Sequence, residues 1–245
     1  MQELCLIIPT YNHFDYADRC IQSFYETEPD LDATVCVIDD CSEENVYDYK
    51  FSNKVTIHRF DTRGGLTRSW NYGLALAKDK YEYTICTNND ILFTACWYEP
   101  LKEALETLDL VGPVTNTPGH CKWQNINKFF HLYTLNDNRH MLDWIGRQCS
   151  FNEIEYIVSE INGFFMMAKT ETWWKNSFDT VHVFNPANHM TENERELQRR
   201  WKARKLRVGF TPRSFIFHYR SVSRPEALAM DESRGAYRHN VGVIK

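Results

Sequence analysis

An α/β fold, with a Rossmann-like, mostly parallel mixed sheet flanked by helices in a single domain, is the architecture this sequence predicts. Two patterns in the first half predict it. Short continuous apolar runs read as strands buried on both faces, and they alternate with segments whose apolar residues recur at helical spacing. Length agrees, because 245 residues suit one large core better than two equal domains.

The elements follow in order. Residues 4–8 form a first apolar run, and a helix over about 16–25 then brings Ala17, Cys20, Ile21 and Phe24 onto one face. Residues 34–38 and 55–59 read as the next two strands. A Gly-Gly turn leads into a helix over about 66–77, with Trp70, Leu74 and Ala77 inward. A strand at 83–87 is followed by a polar loop, a helix near 97–108 and a strand around 110–114. Residues 115–155, rich in Asn, His and aromatic side chains, show no period and read as a loop-rich region that shapes a substrate pocket. Order returns with a strand at 161–169, helices at 170–176 and about 192–204, and strands at 206–210 and 214–218. We therefore expect one domain over 1–220, whose two halves meet at about 114, and a polar tail over 221–245.

Composition narrows the function classes. The chain is 43% hydrophobic and 25% charged, which suits a folded globular protein. A net charge of -5 offers no global basic face for nucleic acid. Eight cysteines are scattered without Cys-x-x-Cys pairing or zinc-finger spacing, several of them inside apolar runs, as expected of a reducing compartment. The N-terminus reads directly into a strand, and no uncharged apolar run approaches the ~20 residues of a membrane span. The expectation is a soluble, cytoplasmic protein without a transmembrane segment.

The chemistry-bearing residues stand at strand ends. The first strand closes on Pro9-Thr10-Tyr11-Asn12 and the second on Asp39-Asp40, and in open parallel sheets ligands collect at the carboxyl ends of strands. An Asp there can accept from a base or ribose, and Tyr11 can offer a flat surface to a base; a simple turn and a helix cap explain the same residues equally well. Neither a Gly-x-Gly-x-x-Gly fingerprint nor a P-loop is present, so a nucleotide would be held by carboxylates, amides and a metal.

Taken together, these motifs resemble glycosyltransferase family 2, whose fold is termed GT-A. Leu6-Ile7-Ile8-Pro9-Thr10-Tyr11-Asn12 is similar to its opening strand and turn, and Val37-Ile38-Asp39-Asp40-Cys41-Ser42 to its second strand with donor-binding aspartates. Gly65, Asn71 and Gly73 fall at the spacing of its glycine-rich helix start, with Arg63 where an Asn is usual. Asn88-Asn89-Asp90 takes the place of its Asp-x-Asp motif, in a form resembling some rhamnosyltransferase-like members. Gly163, Asn193-Glu194-Arg195-Glu196, Pro212 and His218 reproduce the order of its second half.

The resemblance implies a hexosyl- or deoxyhexosyltransferase of glycan biosynthesis, inverting, with a UDP-, GDP- or dTDP-sugar as donor and a glycan or other hydroxyl compound as acceptor. It implies donor binding by Pro9, Thr10, Tyr11, Asn12, Asp39, Asp40, Gly65, Asn71, Asn88 and Asn89. Asp90 and His218 become ligands of Mn²⁺ or Mg²⁺, which suit hard oxygen and imidazole donors. Glu194 falls on the general base, with Glu192 and Glu196 as rivals and helix-end stabilisation as the structural alternative. The basic run Arg195, Arg199, Arg200, Lys202, Arg204, Lys205 and Arg207 suits a phosphorylated or lipid-linked acceptor and peripheral membrane contact, or else a solvated helix face. Two other classes remain: a GT-A-like binding protein without catalysis, and a sugar-nucleotide pyrophosphorylase, whose glycine-rich basic loop is missing.

Overall fold

In a computed structural model, which describes residues 1–49, 51, 54–132 and 135–219, the strands join in one mixed sheet of order β3-β2-β1-β4-β8-β6-β9-β5, with β7 on β9. Strands β1 (Gln2–Thr10), β2 (Ala33–Asp39), β3 (Val55–Arg59) and β4 (Tyr81–Thr87) pair in parallel. Each crossover between them is long enough to return the chain over the sheet, and helices α1 (Phe14–Thr27) and α2 (Leu66–Ala77) fill two of them.

The second half changes direction. Strand β8 (Phe165–Lys169) runs antiparallel to both β4 and β6 (Leu110–Val114), and β9 (Val208–His218) is parallel to β6. A three-residue strand, β5 (Ile91–Phe93), closes the edge against β9, and the two-residue β7 (Ile157–Val158) pairs with β9 from outside.

Strand β1 explains the layering, because its alternate side chains enter separate cores. Leu4, Leu6 and Ile8 pack with Cys20, Ile21 and Phe24 of α1 and with Leu101 and Ala104 of α3 (Tyr98–Ala104). Cys5 and Ile7 face Trp70 and Leu74 of α2, Trp173 of α5 (Thr170–Lys175) and Leu197 and Trp201 of α6 (Asn193–Ala203). A sheet covered on both faces needs the continuous apolar strands seen in the sequence.

Several expectations are revised. The helix near 97–108 ends at Ala104 and unwinds through a turn to Leu108, whose N–H still reaches the Ala104 carbonyl. The strand expected from 161 begins only at Phe165. The region 115–155, expected to be irregular, holds helix α4 (Arg139–Ser150), which Asn138 caps by accepting from the Met141 N–H at 3.1 Å. Its buried side chains are Leu142, Ile145 and Cys149. The two late strands are one, β9, with a register shift: Pro113 pairs with Thr211, but Val114 pairs with Phe215. Residues 212–214 bulge out between them. The tail expected over 221–245 lies outside the described residues. Among the described residues, no helix is long and apolar enough to cross a membrane.

Phe24 pins α1 to the edge strand, with its ring centroid 5.2 Å from Phe93 and 5.8 Å from Trp97. Phe24→Ala should therefore destabilise the fold by about 3–5 kcal/mol. Phe24→Leu should cost clearly less, both read from urea denaturation midpoints.

Candidate functional site

The ends of β1 and β2 build one wall of a crevice, where the chain turns sharply. Asn12, His13 and Cys41 all adopt left-handed backbone conformations, with φ of 52°, 55° and 64°. Polar side chains hold these turns. The Asn12 carbonyl Oδ1 accepts from the Glu43 N–H at 2.8 Å, and the Asn12 N–H donates to Ser42 Oγ at 2.7 Å. Thr10 Oγ1 donates to the Asn12 carbonyl at 3.0 Å and accepts from Asn89 Nδ2 at 3.2 Å, so three of the expected donor-site residues meet.

The two aspartates are engaged with the protein itself. Asp39, fully buried, accepts from the Ser42 N–H at 2.9 Å and from Arg59 Nη1 at 2.6 Å. Asp40 accepts from the N–H groups of Gly64 at 2.8 Å and Gly65 at 2.7 Å, and from Arg68 Nη2 at 2.6 Å. Asp40 thus holds the entry to α2, which is the helix-capping alternative realised across 24 residues of sequence.

Tyr11 and Asn71 each meet a protein partner. One face of the Tyr11 ring is covered by Arg63, whose guanidinium carbon lies 3.4 Å from the ring centroid. Only the other face is left for a base. The Asn71 amide is buried and committed to backbone: Oδ1 accepts from the N–H groups of Val183 at 3.0 Å and Phe184 at 2.8 Å, while Nδ2 donates to the Phe184 carbonyl at 3.0 Å. These bonds anchor the 183–190 loop beside α2.

The Asn88-Asn89-Asp90 triplet joins β4 to β5. Asn88 donates its N–H to the Phe164 carbonyl at 2.9 Å and leaves its side chain half-buried. Asp90 is buried, and Asp90 Oδ1 lies 3.2 Å from His218 Nε2 at the end of β9. The pair falls outside hydrogen-bond geometry. Neither Asp90 Oδ1 nor either ring nitrogen of His218 has a hydrogen-bond partner among the described residues. Leaving such groups unpaired in a protein interior is costly, which marks the pair as a place for a ligand. His218 stacks on Phe164 with ring centroids 5.0 Å apart, and Asn116 fixes its backbone by accepting its N–H at 2.8 Å and donating to its carbonyl at 3.1 Å.

Glu194 sits in the first turn of α6 and lies over Gly163: a Cβ at Gly163 would stand 3.0 Å from Glu194 Cγ. Burial raises the pKa of this carboxyl above the ordinary value; Glu192 pushes the same way, while the residue's own N–H and Arg195 oppose it. Glu192 instead pairs with Arg195 at 2.6 Å and Glu196 with Arg200 at 3.0 Å. Glutamines that the sequence reading overlooked hold the segment facing Glu194. Gln198 accepts the Ile161 N–H at 2.9 Å and donates to its carbonyl at 2.8 Å, and Gln124 accepts the Asn162 N–H at 2.6 Å. Neither stands out in the sequence, where Gln124 lies between Trp123 and Asn125 and Gln198 between Leu197 and Arg199.

The basic run of α6 is largely matched by its own acids. Arg195 and Arg199 flank Glu192, Arg200 pairs with Glu196, and Lys202 lies 3.3 Å from Glu160. The solvated-face reading describes this helix best. Among the described residues, no cluster of three or more His, Cys, Asp or Glu side chains gathers as a metal site, so Asp90 and His218 stand as a pair.

With a mixed α/β sheet and a polar crevice at its carboxyl edge established, the wider comparison is direct. The family model "Glycosyl transferase family 2" matches residues 5–170, and the chain belongs to that family. Its fold is similar to that of a solved structure, "Crystal structure of GalNAc-T7 with UDP, GalNAc and Mn2+", at a TM-score of 0.65 and 16% identity. That superposition covers 91% of this chain and 44% of the other, so the chain spans less than half the length of that neighbour. No curated protein sequence matches the chain.

Replacing Asn71 by Leu would strip the Val183 and Phe184 backbone of three hydrogen bonds. Asn71→Leu should cost about 2–4 kcal/mol of stability. Hydrogen exchange should also quicken at the amides of Val183 and Phe184 more than in β1.

Proposed function

We propose that this protein transfers a sugar from a nucleotide diphosphate donor to an acceptor hydroxyl, with inversion at the anomeric carbon. One observation carries the reading. The consecutive residues Gly163 and Phe164 abut Glu194 on one side and His218 on the other, which brings a carboxyl of raised pKa and a buried, unpartnered Asp90–His218 pair to the same short turn.

In this reading residues 1–114 bind the donor, with Thr10, Tyr11, Asn12 and Asn89 lining the crevice that Asp39, Asp40 and Gly65 shape. Residues 115–220 supply the acceptor side. A UDP-, GDP- or dTDP-sugar fits the class, and the structural neighbour was crystallised with UDP, GalNAc and Mn²⁺. Asp90 and His218 fit a divalent cation, Mn²⁺ or Mg²⁺, because their orphaned oxygen and nitrogen atoms are of the donor types such ions accept. When bound, the ion would neutralise charge on the departing diphosphate. Asn88, half-buried in the same turn, would offer a neutral amide where a carboxylate would add charge.

Glu194 takes the proton of the acceptor hydroxyl as that oxygen attacks the anomeric carbon and the bond to the diphosphate breaks. Desolvation suits the task, since a base works best when its pKa is raised toward the operating pH. The cysteines of the described structure are all free, in keeping with a cytoplasmic setting.

Incubation with UDP-, GDP- and dTDP-sugars, Mn²⁺ or Mg²⁺ and a panel of hydroxyl acceptors should give nucleotide release that Asp90→Ala abolishes. Nucleotide binding without turnover across the panel would instead identify a non-catalytic binder. Glu194→Gln should lower transfer by roughly 10²–10⁴-fold while donor affinity stays within about twofold; undiminished transfer would overturn its role as base. Because only the ionised carboxylate can accept the proton, kcat/KM should fall as pH drops through a pKa above the ordinary glutamate value, and this acid limb should vanish in Glu194→Gln.

A further inference from the structure

The stretch expected to be irregular borders a cavity of about 470 Å³, lined by Asn116, Thr117, Lys122, Asn125, Asn127 and Lys128 among others. Its place is set by contacts already tied to the site. Asn116 and Thr117 both donate to the His218 carbonyl, at 3.1 and 3.0 Å. Gly119, at φ +60°, passes so close to Asn162 that an added Cβ would lie 2.9 Å from its Nδ2. Asn162 directly precedes Gly163, against which Glu194 packs. The cavity wall therefore runs from the carbonyl of the candidate metal ligand toward the candidate base.

Its charge is the second observation. The lining contains no carboxylate, although the whole chain carries a net charge of -5. Lys122 and Lys128 are exposed on its rim, and neither has a carboxylate partner among the described residues. The Lys128 ammonium lies 5.3 Å from the ring centroid of Trp123, a side chain 65% exposed. This contrasts with α6, whose cations are matched by neighbouring acids. Amide side chains supply paired donors and acceptors for sugar hydroxyls, and two unmatched ammonium groups favour an anion.

We propose that this cavity is the acceptor subsite and that it selects a saccharide bearing a phosphate or carboxylate group. The inference rests on the transferase reading for the word acceptor, but the site and its ligand class stand on the cavity alone. Asn125 Nδ2 and the Asn127 amide hold the sugar hydroxyls, and Lys122 and Lys128 hold the anionic substituent, leaving a free hydroxyl to point along the wall toward Glu194.

Calorimetric titration of the full chain, without donor or metal, separates the two questions. Glucose 6-phosphate and glucuronate are compared with glucose, the first two telling phosphate from carboxylate. We expect at least one anionic sugar to bind roughly tenfold or more tightly than glucose. That preference should shrink between 50 and 300 mM NaCl, concentrations chosen to span about a twofold change in screening length. The double variant Lys122→Gln/Lys128→Gln should lose the preference, and Lys122→Arg/Lys128→Arg should keep it. Equal affinity for charged and neutral sugars, or a preference that persists in the glutamine variant, would overturn the inference. Binding as expected without any glycosyl transfer would refute the transferase reading and leave the anionic saccharide site in place. Transfer to neutral acceptors as efficient as to anionic ones would do the reverse.

Discussion

A buried carboxylate needs hydrogen-bond partners for its oxygens, and Asp40 finds them by reaching across the chain. Its oxygens collect the first two N–H groups of the turn into α2 and the guanidinium of Arg68. The end of β2 is thereby tied to the start of α2, and α2 in turn holds the 183–190 loop through Asn71 and through the Thr67 N–H on the His189 carbonyl at 3.0 Å. Asp40 and Asn71 thus brace the polar edge through bonds that only the three-dimensional arrangement reveals.

The two halves of the sheet contribute differently. Parallel strands β1, β2 and β4 gather turns at one edge, as their topology requires, whereas the antiparallel insertion of β8 carries the turn at Gly163 and Phe164 into that same edge. Both candidate catalytic groups meet this turn. The amides that fasten it, from Gln124 and Gln198, come from segments far apart in sequence, so the acceptor side is braced by the fold as a whole.

Much of this was legible from residues alone, and the limits have physical causes. Strands β3 and β6 and helix α2 appear over the expected spans because their apolar periodicity is uninterrupted and turn residues bound them. Strand β5 escaped because three residues cannot display a period. Helix α4 escaped because its buried stripe is narrow, with Leu142, Ile145 and Cys149 set among polar neighbours. The strand-end clusters were found, and the resemblance led to Asp90, His218 and Glu194. What could not be read was how each polar group is satisfied: the partners of Asn71 lie 112 and 113 residues away, and the stacking of Arg63 on Tyr11 depends on a turn whose shape no local pattern dictates.

The bulge in β9 decides which side of the molecule receives the imidazole. Side chains alternate along a strand with a period of two, so an odd insertion inverts every residue beyond it. Before the bulge the even-numbered Val208 and Phe210 enter the core that holds α2 and α6; after it the odd-numbered Phe215 and Phe217 do, and Ile216 has crossed to the opposite core. His218 shares the parity of Ile216. Were β9 regular, the ring would point with Phe210, away from the face it now occupies and from Asp90. Pro212, Arg213 and Ser214 thus decide, by their number alone, which face of the sheet receives every side chain that follows them on the strand.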